Sequence, residues 1–243
     1  TSLAITHIDS KEMVKSYLEK IMVSSRHLLA LINDVLDLSR IESGNVTIEE
    51  NPFSMIKLID EICTIIQAGV KEKGLNFTVD TSGIKELNVT GDNLRIRQIL
   101  LNILGNAIKY TPNGGQVELR VIQKEPAASD TGVYEFRIKD NGIGMSQEFQ
   151  KHIFEAFSRD GRVVVSGLQG TGLGMAITKN IIDMMGGTIE VHSEEGKGSE
   201  FVVRLELKKY AGKVLCSEEK TDRNTADFKD KKLLLAEDNE LNQ

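Results

Sequence analysis

Three polar side chains share one strip of an otherwise apolar segment between residues 92 and 110. Asn102, Asn106 and Lys109 fall at i, i+4 and i+7, which is one helix face. Asparagine is a poor helix-interior residue because its amide competes for backbone hydrogen bonds. Two of them a turn apart beside a lysine suit either a solvated face or a ligand strip. In the second case the amide oxygen of Asn106 completes the octahedral shell of Mg²⁺ where phosphates supply most of the charge, and Lys109 meets a phosphate as a point charge. A second stretch points to the same chemistry. Gly170-Thr171-Gly172-Leu173-Gly174-Met175 leads into the apolar pattern Leu173, Ile177, Ile181, Met184. A glycine turn that opens a helix presents free N–H groups at the positive end of a dipole, a ready anion site; plain chain reversal uses the same residues. There is no Gly-Lys-Ser/Thr ending, the spacing is G-x-G-x-G, and no strand leads directly in, so neither a P-loop nor a dinucleotide fingerprint is present.

These residues need elements to hold them. Met13, Tyr17, Ile21, Leu28, Ile32 and Val35 recur at helical spacing, with Leu29 and Leu36 widening the stripe and Gly44 as a stop. This predicts one helix over 11–42 with a face that wants a partner helix. Val46-Thr47-Ile48 reads as a short strand. Pro52 precedes a helix carrying Met55, Ile59, Ile62, Cys63, Ile66 and Val70, which ends at Gly74. Asn76–Asp80 is strand-like, and Asp92 is a good N-cap for the helix bearing the polar strip. Alternating strands follow at Val117, Leu119, Val121 and at Tyr134, Phe136, Ile138; two more lie at Ile189–Val191 and Phe201–Leu207. Mixed elements without regular βαβ alternation predict an α+β fold, a two-layer sandwich with helices on one face of a mainly antiparallel sheet. Residues 211–230 read as a polar linker. Lys231–Asn239 reads as a buried strand ending in the acidic pair Glu237-Asp238.

Composition narrows the function classes. A chain of 243 residues with a formal charge of −6 is a poor general nucleic-acid binder, because neutralising phosphates takes clustered Lys and Arg. Two cysteines, Cys63 and Cys216, suggest neither a disulfide framework nor a zinc site; reduced thiols in a cytoplasmic setting fit. No apolar run is long enough to span a bilayer.

Asn102-Ile103-Leu104-Gly105-Asn106-Ala107-Ile108-Lys109-Tyr110-Thr111-Pro112 resembles the N box of sensor histidine kinases of two-component signalling. Asp140-Asn141-Gly142-Ile143-Gly144-Met145 is similar to their G1 box, Phe154-Glu155-Ala156-Phe157 to the F box, and Gly170–Met175 to the G2 box. Gly186-Gly187 and Gly196-Lys197-Gly198-Ser199-Glu200-Phe201 resemble the closing glycine motif. Leu36–Gly44 is similar to the exit of the dimerisation hairpin. The order and spacing agree across roughly residues 11–209. The resemblance implies ATP and Mg²⁺ as cofactors. It implies that Asp140 reads the adenine amine, that Gly142, Gly144 and Met145 lie at the base, and that Asn106 is the metal ligand. Lys109 and Tyr110 would then contact phosphate or ribose, and Gly170, Thr171, Gly172, Leu173, Gly174 and Ser199 would complete the nucleotide site. Ser158–Gln169 would be the ATP lid, with Arg159 and Arg162 in reach of the γ-phosphate and an unusually apolar Val163-Val164-Val165.

The same ATP fold serves topoisomerases, mismatch-repair ATPases and a chaperone, which hydrolyse ATP with a Glu one turn before the metal-binding Asn. Here that position is Asn102, and an amide is no general base. A site that positions ATP for transfer to an imidazole is implied instead, with Asn102, Asn106 and Lys109 as its catalytic set. The family's acceptor lies in an H box, a His followed by an acidic residue and, shortly after, a Pro. His7, His27, His152 and His192 do not match it, so the acceptor is expected before Thr1 and this fragment is expected not to phosphorylate itself. The expected organisation is a partial hairpin over 1–44, the catalytic domain over 45–210, a linker over 211–230, and the opening of a receiver domain over 231–243. The implied partners are the acceptor His, a receiver domain and, in the parent protein, a second copy. A non-catalytic dimerising module built on the Met13–Val35 stripe and a hydrolysing ATPase are the competing readings.

Overall fold

The computed structural model describes residues 10–44, 46–124, 130–158 and 171–212. Helix α1 (Lys11–Glu42) runs unbroken for 32 residues and is N-capped by Ser10, whose hydroxyl accepts the Met13 N–H. Its predicted stripe is largely bare: Leu28 is 58% exposed, Val35 47% and Leu36 50%. Only the far end seats on the rest of the protein, where Leu38 and Ile41 join the hydrophobic core.

The core lies between a seven-stranded sheet and the helices that follow. The strands are β1 (Asn51–Ser54), β2 (Asn76–Gly83), β3 (Asn88–Gly91), β4 (Gln116–Lys124), β5 (Thr131–Asp140), β6 (Thr188–Glu194) and β7 (Gly198–Lys209). Their order is β1-β3-β7-β5-β4-β2, with β6 also paired to β7. Every pairing is antiparallel except β2 with β4, as the α+β reading expects. Alternation fixes the faces: Val117, Leu119 and Val121 of β4, Tyr134, Phe136 and Ile138 of β5, and Phe201, Val203 and Leu205 of β7 are buried. On them lie α2 (Met55–Glu72) and α3 (Asn93–Tyr110), with α5 (Gly174–Met184) beside α3; the short α4 (Gln147–His152) packs near β6. Ile96, Ile99, Leu100 and Ile103 of α3 are completely covered, so that helix is the centre of the core.

One expected strand does not form. Val46–Ile48 joins no strand, and the strand lies later, at Asn51–Ser54. The ladder to β3 decides this, pairing Asn51 with Gly91 and Ser54 with Asn88. Pro52 is tolerated there because β1 is an edge strand. The lid stretch 159–169, Gly170, His7 and the linker and strand read beyond residue 212 lie outside the described residues. No described helix is long and apolar enough to cross a membrane.

Candidate active site

Helix α3 starts where the sequence predicts. Asp92 accepts the Arg95 N–H at 3.0 Å and also the Glu49 N–H at 3.1 Å. Its other end is held by a residue with no local signature. Lys73, just past α2, donates to the carbonyls of Ile108, Lys109 and Thr111 at 2.9, 2.7 and 2.9 Å, placing a cation on the negative end of the helix. Both ends of the strip-bearing helix are therefore anchored.

Along α3, Asn102, Asn106, Lys109 and Tyr110 open into one cavity of about 330 Å³. Asp140, Gly144, Met145, Thr171, Gly172, Gly174 and Ser199 line its remaining walls. Two described residues of the predicted set do not line it. Gly142 sits behind Asp140 and donates its N–H to Oδ1 at 2.8 Å, while Leu173 is wholly buried in the core. The predicted strip thus divides in use. Asn102 turns its amide nitrogen to the Gly174 carbonyl and to Thr178 Oγ1, each at 3.2 Å. Asn106 has no side-chain partner among the described residues and lies half-buried on the cavity wall. The Lys109 ammonium rests 4.7 Å above the Tyr110 ring and donates to its hydroxyl at 3.0 Å, which leaves further donors for an anion.

Asp140 ends β5 and is buried at 7% exposure. Burial pushes its carboxyl up from the ordinary aspartate range, while the backbone N–H groups of Gly142 and Ser199 pull it back down. The neighbouring loop needs glycine at residue 144, where φ is +63° and a Cβ would overlap the Glu194 carbonyl. Ser193 ties that loop to β7: its hydroxyl accepts the Met145 N–H, donates to the Gly198 carbonyl and meets Ser199 Oγ, each at 2.9 Å. Gln150 reaches back from α4 to the carbonyls of Met145 and Ser193 at 3.1 and 3.0 Å.

At the other wall, α5 opens without a side-chain cap, so its first N–H groups are not taken by a capping residue. Gly172 adopts φ +74°, and Phe157 donates its N–H to the Gly172 carbonyl at 3.0 Å. Phe157 is itself at φ 63°, and this bond joins the chain backbone to backbone one residue outside Ser158 and Thr171. Sequence reasoning missed Phe149 and Ile153, which line the cavity from α4 and the turn after it, four residues apart. It also missed Asp34 of α1, which reaches the cavity and accepts the Thr171 hydroxyl at 2.9 Å. Burial pushes the Asp34 carboxyl up, the Thr171 hydroxyl pulls it down, and Asp37 raises it again.

The arrangement defines a nucleotide-sized cavity between a buried carboxylate and an uncapped helix start. Comparisons with known proteins identify its class. The family model of histidine kinase-, DNA gyrase B-, and HSP90-like ATPases matches residues 91–209, and that of the His Kinase A (phospho-acceptor) domain matches residues 2–44. The chain belongs to the sensor histidine kinases and carries their ATPase-type catalytic domain. The signal transduction histidine-protein kinase BarA of Escherichia coli (strain K12) is 38% identical over 194 residues, which is 79% of this chain and 21% of that protein. Hybrid signal transduction histidine kinase B of Dictyostelium discoideum is 40% identical over 196 residues, 81% of this chain and 10% of that protein. The chain therefore spans between 10% and 27% of the length of such curated relatives. Among solved structures, full-length ShkA in complex with AMPPNP superposes with a TM-score of 0.69 at 29% identity, covering 86% of this chain and 43% of that one.

Proposed function

We propose that this chain binds ATP with Mg²⁺ and presents the γ-phosphate to a histidine of an H box, within a hybrid sensor kinase that passes the phosphoryl group to a receiver domain. The observation that carries this reading is the cavity itself, in which Asp140, the Asn106–Lys109 strip and the uncapped start of α5 face one another. Asp140 accepts the adenine amine with the lone pairs that Gly142 and Ser199 leave over; guanine would offer a carbonyl there and meet repulsion. Gly144 and Met145 flank the base. Tyr110 and Lys109 contact ribose and phosphate. Thr171, Gly172, Gly174 and Ser199 complete the phosphate end.

The donor set fits Mg²⁺ held chiefly by the nucleotide. The described residues contain no cluster of three or more His, Cys, Asp or Glu able to hold a metal ion. Asn106 has a free amide oxygen on the cavity wall, and Mg²⁺ commonly takes one or two protein donors together with phosphates and waters. When bound, the ion neutralises charge on the phosphates. In the transfer, the bond from the γ-phosphorus to the β-phosphate oxygen breaks, an N–P bond to the imidazole forms, and ADP leaves. The chain's part is positioning and charge stabilisation.

His152 and His192 stand outside the cavity lining and pair with surface carboxylates, which suits an acceptor located elsewhere. The bare stripe on α1 suits pairing with a second copy through the helical hairpin. The acidic pair Glu237-Asp238 and the likeness to a kinase named as hybrid support a receiver domain after the linker, with domain limits as read from the sequence. The test is to incubate the chain with γ-labelled ATP and a separately produced hairpin carrying an H box. Acid-labile phosphohistidine should form, and phosphate release without the hairpin should be slow. Fast release without any acceptor would favour the hydrolysing reading.

A further inference from the structure

We propose that Asp34 is a resident anion at the phosphate end of the cavity, holding α1 against the glycine turn until a nucleotide triphosphate displaces it. The inference rests on the nucleotide reading of the cavity and adds a device that couples its occupancy to the position of the hairpin helix. Asp34 comes from α1, 137 residues before its partner Thr171, yet it lines the same cavity as Asn106 and Gly172. Its Oδ2 takes the Thr171 hydroxyl proton at 2.9 Å, while the same hydroxyl oxygen accepts the Leu173 N–H at 3.2 Å. The hydroxyl thus spends its only proton on Asp34 and links that carboxylate to the turn entering α5.

No Lys or Arg forms an ion pair with Asp34 among the described residues, and the charge that acts on it is Asp37, which is like-signed. What favours an anion against burial and Asp37 is the Thr171 hydroxyl, and that hydroxyl also meets the Leu173 N–H at the start of α5, whose dipole is positive and uncapped. That is the feature a polyphosphate would use. Two anions at one helix start repel, and the effect is large in a partly desolvated cavity. The rest of the α1 seat is independent of this charge: Leu38 and Ile41 pack on the core, and Gln98 donates to Asp37 at 3.0 Å. Displacing Asp34 therefore frees one turn of α1 and leaves its far end docked, so the helix pivots rather than detaches.

Asp34→Asn separates charge from packing, since the amide oxygen still accepts the Thr171 hydroxyl. Wild type and variant are titrated calorimetrically with ATP, ADP and adenosine in Mg²⁺-free, low-salt buffer. The variant should bind ATP about tenfold more tightly, gain less for ADP, and bind adenosine as wild type does. Unchanged ATP affinity, or an equal gain for all three ligands, would overturn the latch while leaving the nucleotide site standing. No binding of any of the three to wild type would overturn the nucleotide reading and the latch with it. Hydrogen exchange gives a second readout: ATP should speed exchange of the α1 amides around Asp34 in wild type, and unchanged exchange on ATP saturation would contradict the release.

Discussion

The amide nitrogen of Asn102 lies 3.2 Å from the carbonyl oxygen of Gly174. The same nitrogen meets Thr178 Oγ1 at 3.2 Å, and that hydroxyl in turn donates to the Gly174 carbonyl at 2.8 Å. One side chain therefore fastens α3, which carries the metal-ligand candidate, to the first turn of α5, which carries the phosphate-binding candidates. It also explains why a carboxylate is absent here. An acidic side chain would aim its lone pairs at a carbonyl oxygen, with no N–H to offer.

Asn102→Glu tests this directly. The hydrolysing relatives use Glu at the corresponding place, so residue chemistry alone would predict an ATPase. The geometry predicts otherwise: the carboxylate is repelled by Gly174, the start of α5 shifts, ATP affinity drops roughly tenfold, and turnover stays slow. Phosphate release and calorimetry on the variant check both parts. Fast hydrolysis with intact affinity would show that Asn102 has no such fastening role.

The open face of the sheet makes a separate prediction about pH. Glu135 is fully covered and receives Lys124, Arg137 and Arg204 at 2.6, 2.8 and 2.7 Å. Burial pushes its carboxyl up, but the hydrogen bonds from Lys124, Arg204 and Arg137 together outweigh it and hold it at about 2, below the ordinary 4.5. A depressed folded value means the stabilisation is complete above pH 4.5 and drains away as the pH falls toward 2. Glu135→Gln should lower stability at neutral pH by about 2 kcal/mol and flatten that acid limb. Urea unfolding across this range measures both effects.

Asp92→Ala removes a cap and a long-range bond together, since the carboxylate accepts from both Arg95 and Glu49. The expected cost is about 1–2 kcal/mol of unfolding free energy. Denaturant melts of the variant would show it as a lower midpoint with an unchanged slope.

The stripe on α1 predicts association. Leu28 and Leu36 are exposed at 58% and 50%, and removing the exposed part of such side chains from water in a helix pair is worth about 1 kcal/mol each. Light scattering should report a dimer, and Leu28→Glu with Leu36→Glu should give a monomer. A monomeric wild-type chain would contradict the prediction.

Much of this was legible locally. Helix α1 matches its apolar period from residue 11 to 42, and Asp92 caps α3 as its side chain and position suggest. Strand β4 alternates cleanly because one face is buried, while β5 and β7 keep the period but also cover Glu135 and Val202 on the opposite face. Strand β3 (Asn88–Gly91) was not legible: it is four residues long, and Val89 is its one buried apolar side chain. Strand β1 was read too early because pairing with β3, rather than the β-branched run Val46-Thr47-Ile48, selects the strand. In the cavity, residues in glycine and asparagine patterns stood out. Asp34 did not, nor did Lys73, Gln150 and Ser193, which brace the elements around the cavity, because each acts on an element remote in sequence and carries no pattern around it.

The central claim is that Asp140 reads adenine in this cavity, and calorimetric titration of ATP and GTP with Mg²⁺ into wild type and Asp140→Asn tests it most directly. Wild type should bind ATP with micromolar to near-millimolar affinity and GTP more weakly by roughly a hundredfold, and the variant should lose ATP binding to a similar extent. ATP and GTP binding equally to wild type, or ATP binding the variant as tightly as wild type, would contradict it.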